Sequence, residues 1–197
     1  MTSTSWVLLA VTLAFALSDW WATWADRADI RRLTKPATLA FLIGVAVTLT
    51  PVDPTIRTWM VIGLVLSLAG DVFLMLPEKW FVAGLGSFLL GHIAYVVAMQ
   101  SAPTTLAGTL VGLAVVAAGI AVVGQRVVRG VAAGEHRSLL GPVIAYLTVI
   151  SAMVVSAFGT EAPWAIVGAS LFYASDATLA WNRFLAPLRW GNLAVMV

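Results

Sequence analysis

The sequence predicts an all-α protein: a polytopic transmembrane helical bundle of seven full helices and a truncated eighth, with its N-terminus outside. Three observations predict this. Hydrophobic residues make up 61% of the 197-residue chain and charged residues only 10%, whereas soluble domains carry about 25% charge. Apolar runs close to the roughly 20 residues needed to cross a hydrocarbon core alternate with short polar loops. The runs are too long for membrane β-strands and lack the alternation of a barrel wall.

The first apolar run, at about 5–24, has no Lys or Arg before it. A secretory leader normally opens with positive charge, so this run reads as a retained helix. The second, at 36–51, is short unless Thr34 and Lys35 snorkel at its start. Further helices are predicted at 57–76, 80–100, 104–123, 139–158 and 163–183, and "VVGQRVVRGVAAGEHRS" reads as the longest loop. After Arg189 only "WGNLAVMV" follows, the stub of an eighth helix. No repeat or linker is visible, so residues 1–197 read as a single integral membrane domain.

Charge placement supports the helix count. Arg27, Arg31, Arg32, Lys35, Lys79, Arg126, Arg129, Arg137, Arg183 and Arg189 fall on one side, and Arg57 alone on the other, leaving no basic residue inside a helix. The positive-inside rule makes the crowded side cytoplasmic. The location expected is a bacterial inner (cytoplasmic) membrane, crossed several times.

The absence of cysteine removes disulfides, thiolate metal sites and a cysteine nucleophile. No basic patch with interleaved aromatics points to nucleic acid. The acids are more informative. Asp26, Asp29, Asp53, Glu78, Glu135 and Glu161 fall in loops, but Asp19, Asp71 and Asp176 lie inside apolar runs. Each central carboxylate costs about 2.5–3.5 kcal/mol on insertion scales, so such groups face the bundle interior, water or a partner. Counted from Asp26, Pro77 and Arg183, all three lie about 9–10 Å inside the cytoplasmic boundary at 1.5 Å per residue. Matched depth on three parallel helices marks a site, although Asp19 alone reads equally well as a structural acceptor.

His92 lies about 20 Å from Lys79 and shares part of a helix face with Tyr95. It reads either as a site residue or as a buried neutral imidazole. Gly84, Ser87 and Gly91 form a small-residue stripe on the same helix, where a neighbouring helix can approach. Two or three Asp and one His could bind a divalent ion, but no HExxH motif or tight ligand spacing supports one. No metal and no cofactor are expected.

The blocks "TKPATLAFL" (34–42), "LAGDVFLML" (68–76), "GLGSFLLGHIAYV" (84–96) and "GASLFYASDATLAWNRF" (168–184) together resemble the YhhN family, also called the transmembrane-protein-86 or lysoplasmalogenase family. They occur in family order and span the second to seventh helices. Family members resemble eight-helix membrane proteins, so the short final run departs from the pattern. The resemblance implies hydrolysis of the vinyl ether bond of lysoplasmalogens, with a lysolipid substrate. By motif position it implies catalytic Asp71 and Asp176, with Lys35 and His92 as further polar site positions. Asp19 falls outside the matched blocks.

That chemistry suits the residues. Vinyl ether cleavage protonates the terminal alkene carbon, and water attacks the resulting oxocarbenium ion. One carboxyl donates the proton while a second steadies the cation and activates water. Asp71 and Asp176 are the expected pair, with the two roles open. Lys35 is expected either to bind the lysolipid phosphate or to act as an ordinary cytoplasmic anchor. His92 and Tyr95 are placed to orient water or cap the cavity, and Asp19 completes the binding set. Two other readings stay open: a proton- or cation-coupled transporter, and a non-catalytic lysolipid sensor.

Overall fold

The computed structural model describes residues 2–51 and 53–186. The predicted eighth-helix stub and Arg189 lie outside the described residues. Among the described residues seven helices form: α1 (Ser3–Trp24), α2 (Ala28–Thr48), α3 (Pro54–Met75), α4 (Phe81–Gln100), α5 (Leu106–Ala133), α6 (Leu140–Gly159) and α7 (Pro163–Phe184). Five of these, α1, α3, α4, α5 and α6, are long and apolar enough to cross a membrane. The chain is a multi-pass membrane protein. The remaining two, α2 and α7, are 21 and 22 residues long but more polar. The helices group into two compact units, Met1–Ser101 and Ala102–Val197.

In the first unit, α2 packs against both α1 and α3, and α4 packs against α3. Capping sets the starts of two helices. Thr2 accepts from the Ser5 amide, and Asp53 accepts from the amides of Thr55 and Ile56 with Pro54 in the first helical position. Asp26, in the left-handed region at φ 54°, turns the chain from α1 into α2. Ser5 Oγ donates to the Thr48 carbonyl at 3.1 Å, and Phe15 stacks on Phe41, tying α1 to α2.

α2 begins at Ala28, well before the predicted 36, and Pro36 lies within it. Arg31, Arg32 and Lys35 therefore occupy helix and not loop, contrary to the expectation that no basic residue lies in a helix interior. The polar start misled the hydropathy reading, because Ala, Arg, Leu and Lys are good helix formers whatever their solvent preference.

The stripe on α4 does admit a neighbour. Ser87 Oγ donates to the Leu66 carbonyl at 2.7 Å, and a Cβ on Gly91 would lie 3.2 Å from the Gly63 carbonyl. The ring of Phe88 covers Gly70, and that of Tyr95 covers Gly63. Small residues on both helices thus let the α3 and α4 backbones approach closely.

In the second unit, α6 lies against α5 and α7, and α7 also contacts the C-terminal part of α5. Gly108 and Gly112 of α5 face Val155 and Phe158 of α6, where a Cβ on Gly112 would meet the Val155 Cα at 2.9 Å. The α6–α7 turn is tied to the start of α5. Glu161, with φ 54°, accepts from Thr105 Oγ1 at 2.7 Å, while the Thr105 amide donates to the Gly159 carbonyl at 2.8 Å.

Much of the stretch predicted as the longest loop is helix. α5 widens into a single π turn at Ile120–Gly124 and then continues as α-helix through Gln125–Ala133. Val127 and Val131, four residues apart, bury one face against Val143, while Arg126 and Arg129 stay exposed. An amphipathic face keeps this segment helical although its composition resembles a loop.

The close α5–α6 contact predicts a sharp contrast between two glycines. Gly112→Ala should destabilise the protein by about 1–3 kcal/mol through overpacking against backbone. Gly168→Ala, with nothing within 4 Å of the added Cβ, should be neutral or slightly stabilising. Thermal unfolding in detergent, followed by tryptophan fluorescence, checks both.

Candidate active site

The first unit gathers polar groups along an otherwise apolar bundle. Asp71, near the C-terminal end of α3, is buried, with its side chain 9% exposed. Its Oδ1 lies 2.9 Å from Nζ of Lys35 on α2. The preceding residue, Thr34, donates from Oγ1 to Oδ1 of Asp19 on α1 at 2.6 Å. One helix thus serves two buried acids with two adjacent side chains.

Desolvating a carboxylate costs several kcal/mol unless a charge and hydrogen bonds offset it. The Lys35 ammonium supplies that offset for Asp71. Lys35 is itself 26% exposed, so its long stem carries charge from the edge of the unit inward to Asp71. A second charge-assisted contact, from the Thr34 hydroxyl, serves Asp19.

One helical turn along α3 from Asp71, about 6 Å away, Ser67 hydrogen-bonds the hydroxyl of Tyr95 on α4 at 3.2 Å. His92, 1% exposed, meets the Tyr95 ring edge to face with centroids 6.3 Å apart. The line therefore runs from Asp19 and Thr34 through Lys35 and Asp71 to Ser67, Tyr95 and His92. Of the six residues singled out in the sequence, the first unit contains five: Asp19, Lys35, Asp71, His92 and Tyr95.

Asp176 belongs to the second unit. It is half-buried on α7 beside the buried Ser175, and it accepts a hydrogen bond from the phenol of Tyr146 on α6. Sequence reasoning missed Tyr146, Thr34 and Ser67. For Tyr146 a signal existed: the chain has only three tyrosines, and a phenol in an apolar helix needs a partner for its hydroxyl.

The ion pair has a thermodynamic signature. Lys35→Met should leave Asp71 without its charge partner and lower stability by about 1–3 kcal/mol, less than for a fully buried pair because Lys35 is partly exposed. Adding Asp71→Asn should recover part of that loss. A double-mutant cycle of unfolding free energies in detergent measures the coupling; additive losses would show that the pair contributes nothing.

The model of the YhhN family matches residues 30–197. The chain is 36% identical to a protein named lysoplasmalogenase from Mycobacterium bovis, over 82% of this chain and 66% of that protein. The same figures hold for a lysoplasmalogenase from Mycobacterium tuberculosis. It is 34% identical to lysoplasmalogenase TMEM86B of Homo sapiens, over 68% of this chain and 55% of that protein. The chain thus spans just under two thirds of the length of the mycobacterial relatives and just over half that of the human one. No solved structure matches it. The family match covers Lys35, Asp71, His92, Tyr95 and Asp176 and leaves out Asp19. The chain belongs to the YhhN family.

Proposed function

We propose that the protein is a membrane-embedded lysoplasmalogenase. It hydrolyses the vinyl ether bond of a lysoplasmalogen to a fatty aldehyde and a glycerophospho-ethanolamine or -choline. The reading rests on one observation above all: a carboxylate buried in a spanning helix, Asp71, held 2.9 Å from the Lys35 ammonium. The names of the mycobacterial and human relatives supply the substrate class. The setting proposed is a bacterial inner membrane, with the N-terminus outside and the whole chain acting as one integral membrane domain.

The reaction needs a proton donor and a group that steadies positive charge. A carboxyl proton adds to the alkene carbon distal to the ether oxygen, leaving an oxocarbenium ion. Water bonds to the carbon beside that oxygen and gives its proton to a carboxylate. The hemiacetal then collapses: its hydroxyl gives up a proton as the carbonyl forms, the carbon–oxygen bond to glycerol breaks, and the glycerol oxygen takes up a proton as the aldehyde leaves. Asp71 and Asp176 are the two acids of this scheme, with donor and base not assigned between them. The Lys35 ammonium has three donors, enough to hold Asp71 and also reach a lysolipid phosphate. His92 and Tyr95 orient water, and Asp19 steadies the cationic side of the cluster. No cofactor takes part in the scheme.

Purified protein mixed with a lysoplasmalogen should release free aldehyde, measured by mass spectrometry. Asp71→Asn and Asp176→Asn should each reduce release by about 100-fold or more while the protein stays folded. Near-normal turnover by both variants would remove the proposal.

A further inference from the structure

Tyr146 lies on α6, in a stretch of apolar residues, with its phenol donating to Oδ2 of Asp176 on α7. Both side chains are partly buried. The surrounding helices brace this pair at two points. Leu147, the next residue on α6, lies against Gly124, the last residue of the π turn in α5; a Cβ there would be 3.3 Å from the leucine methyl. Gly119, immediately before the π turn, lies against the ring of Tyr173, three residues before Asp176 on α7, where a Cβ would be 2.9 Å from Cε1. The wide turn of α5 therefore touches α6 beside the phenol and α7 one turn from the carboxyl. Such turns concentrate at functional sites.

A carboxyl on an aspartate rotates about a broad torsion, and burial alone does not choose its orientation. A phenol is different. It carries its hydroxyl at the end of a rigid ring with two torsions, and here the contact of Leu147 with Gly124 holds the backbone beside it. A hydrogen bond from such a group to one carboxyl oxygen restricts rotation of the acid about that torsion.

We propose that Tyr146 is a positioning residue for Asp176: its hydrogen bond to Oδ2 sets the orientation in which the carboxyl meets the reacting lipid. This rests on the reading of Asp176 as one of the two reacting acids. Tyr146 itself need not touch the substrate. Its effect falls on the chemical step, because a misplaced acid binds lipid as before but protonates, or receives a proton, from the wrong geometry.

The test is aldehyde release under steady-state conditions by full-length protein in detergent. Tyr146→Phe, which keeps the ring, should lower kcat by about 10- to 100-fold and leave KM within about two-fold. Tyr173→Phe, on the same helix as Asp176, should leave kcat unchanged. In an Asp176→Glu background, where the longer side chain has already displaced the carboxyl, adding Tyr146→Phe should cost little more. Replacing Tyr146 with 3-fluorotyrosine keeps ring and hydroxyl while changing donor strength, and should alter kcat without altering KM even if Tyr146→Phe does not fold. Wild-type kcat in Tyr146→Phe or in the fluorinated protein, with Asp176→Asn inactive, would overturn the positioning role and leave Asp176 as an acid. A raised KM and lowered Tm with unchanged kcat would make Tyr146 a mere tie between helices and also overturn it. Full activity in Asp176→Asn would overturn the reading of Asp176, and this inference with it.

Discussion

The contact between the Lys35 ammonium and the buried Asp71 carboxylate constrains the first half of the molecule. A carboxylate inside an apolar helix is tolerable only when its charge is met, so α3 requires a cation at a particular height. That cation is supplied by the polar opening of α2, which must then be folded helix lying against α3. Thr34, the residue before, meets Asp19 on α1. Successive helix positions point about 100° apart, so two neighbouring side chains can serve acids on opposite flanks only if α2 lies between α1 and α3. The observed packing has that order. One dipeptide thus fixes both the rotation of α2 and its axial position.

The two units share a way of joining helices. Each has a contact of small residues where backbones come close, at Gly63 and Gly91 in the first and at Gly108 and Gly112 in the second. Lipid tails are as apolar as leucine, so close backbone packing and internal polar bonds, not burial from water, hold such helices together. The more polar helices, α2 and α7, carry Lys35 and Asp176. The apolar ones form the surroundings in which those groups acquire their effect, since a charge interacts more strongly where water is scarce.

The spans themselves were legible because apolar length is a direct consequence of bilayer thickness. Their ends were not, where a helix continues into water. The start of α2 and the tail of α5 carry Arg and Lys on exposed faces, and hydropathy reports solvent preference, not backbone conformation. Asp19, Asp71 and His92 stood out as costly or unusual groups, Tyr95 as sharing a face with His92 and Lys35 through the family resemblance, and the structure brings them into one line. Their hydroxyl partners did not stand out. Thr12 and Thr38 satisfy themselves on the carbonyl four residues back, a routine habit of such residues in helices. Nothing in the sequence separates them from Thr34 or Ser67, whose oxygens reach across to another helix. Which hydroxyl crosses depends on rotation about the helix axis, and the tertiary packing sets that rotation.

The wide turn at Ile120–Gly124 has a consequence for the segment beyond it. Accommodating one residue more than a regular turn shifts the angular phase of everything downstream by roughly 100°. With that shift, Val127 and Val131 face Val143 while Arg126 and Arg129 face outward. Loss of one residue here would keep an unbroken rod but swing guanidinium groups toward the valine seam.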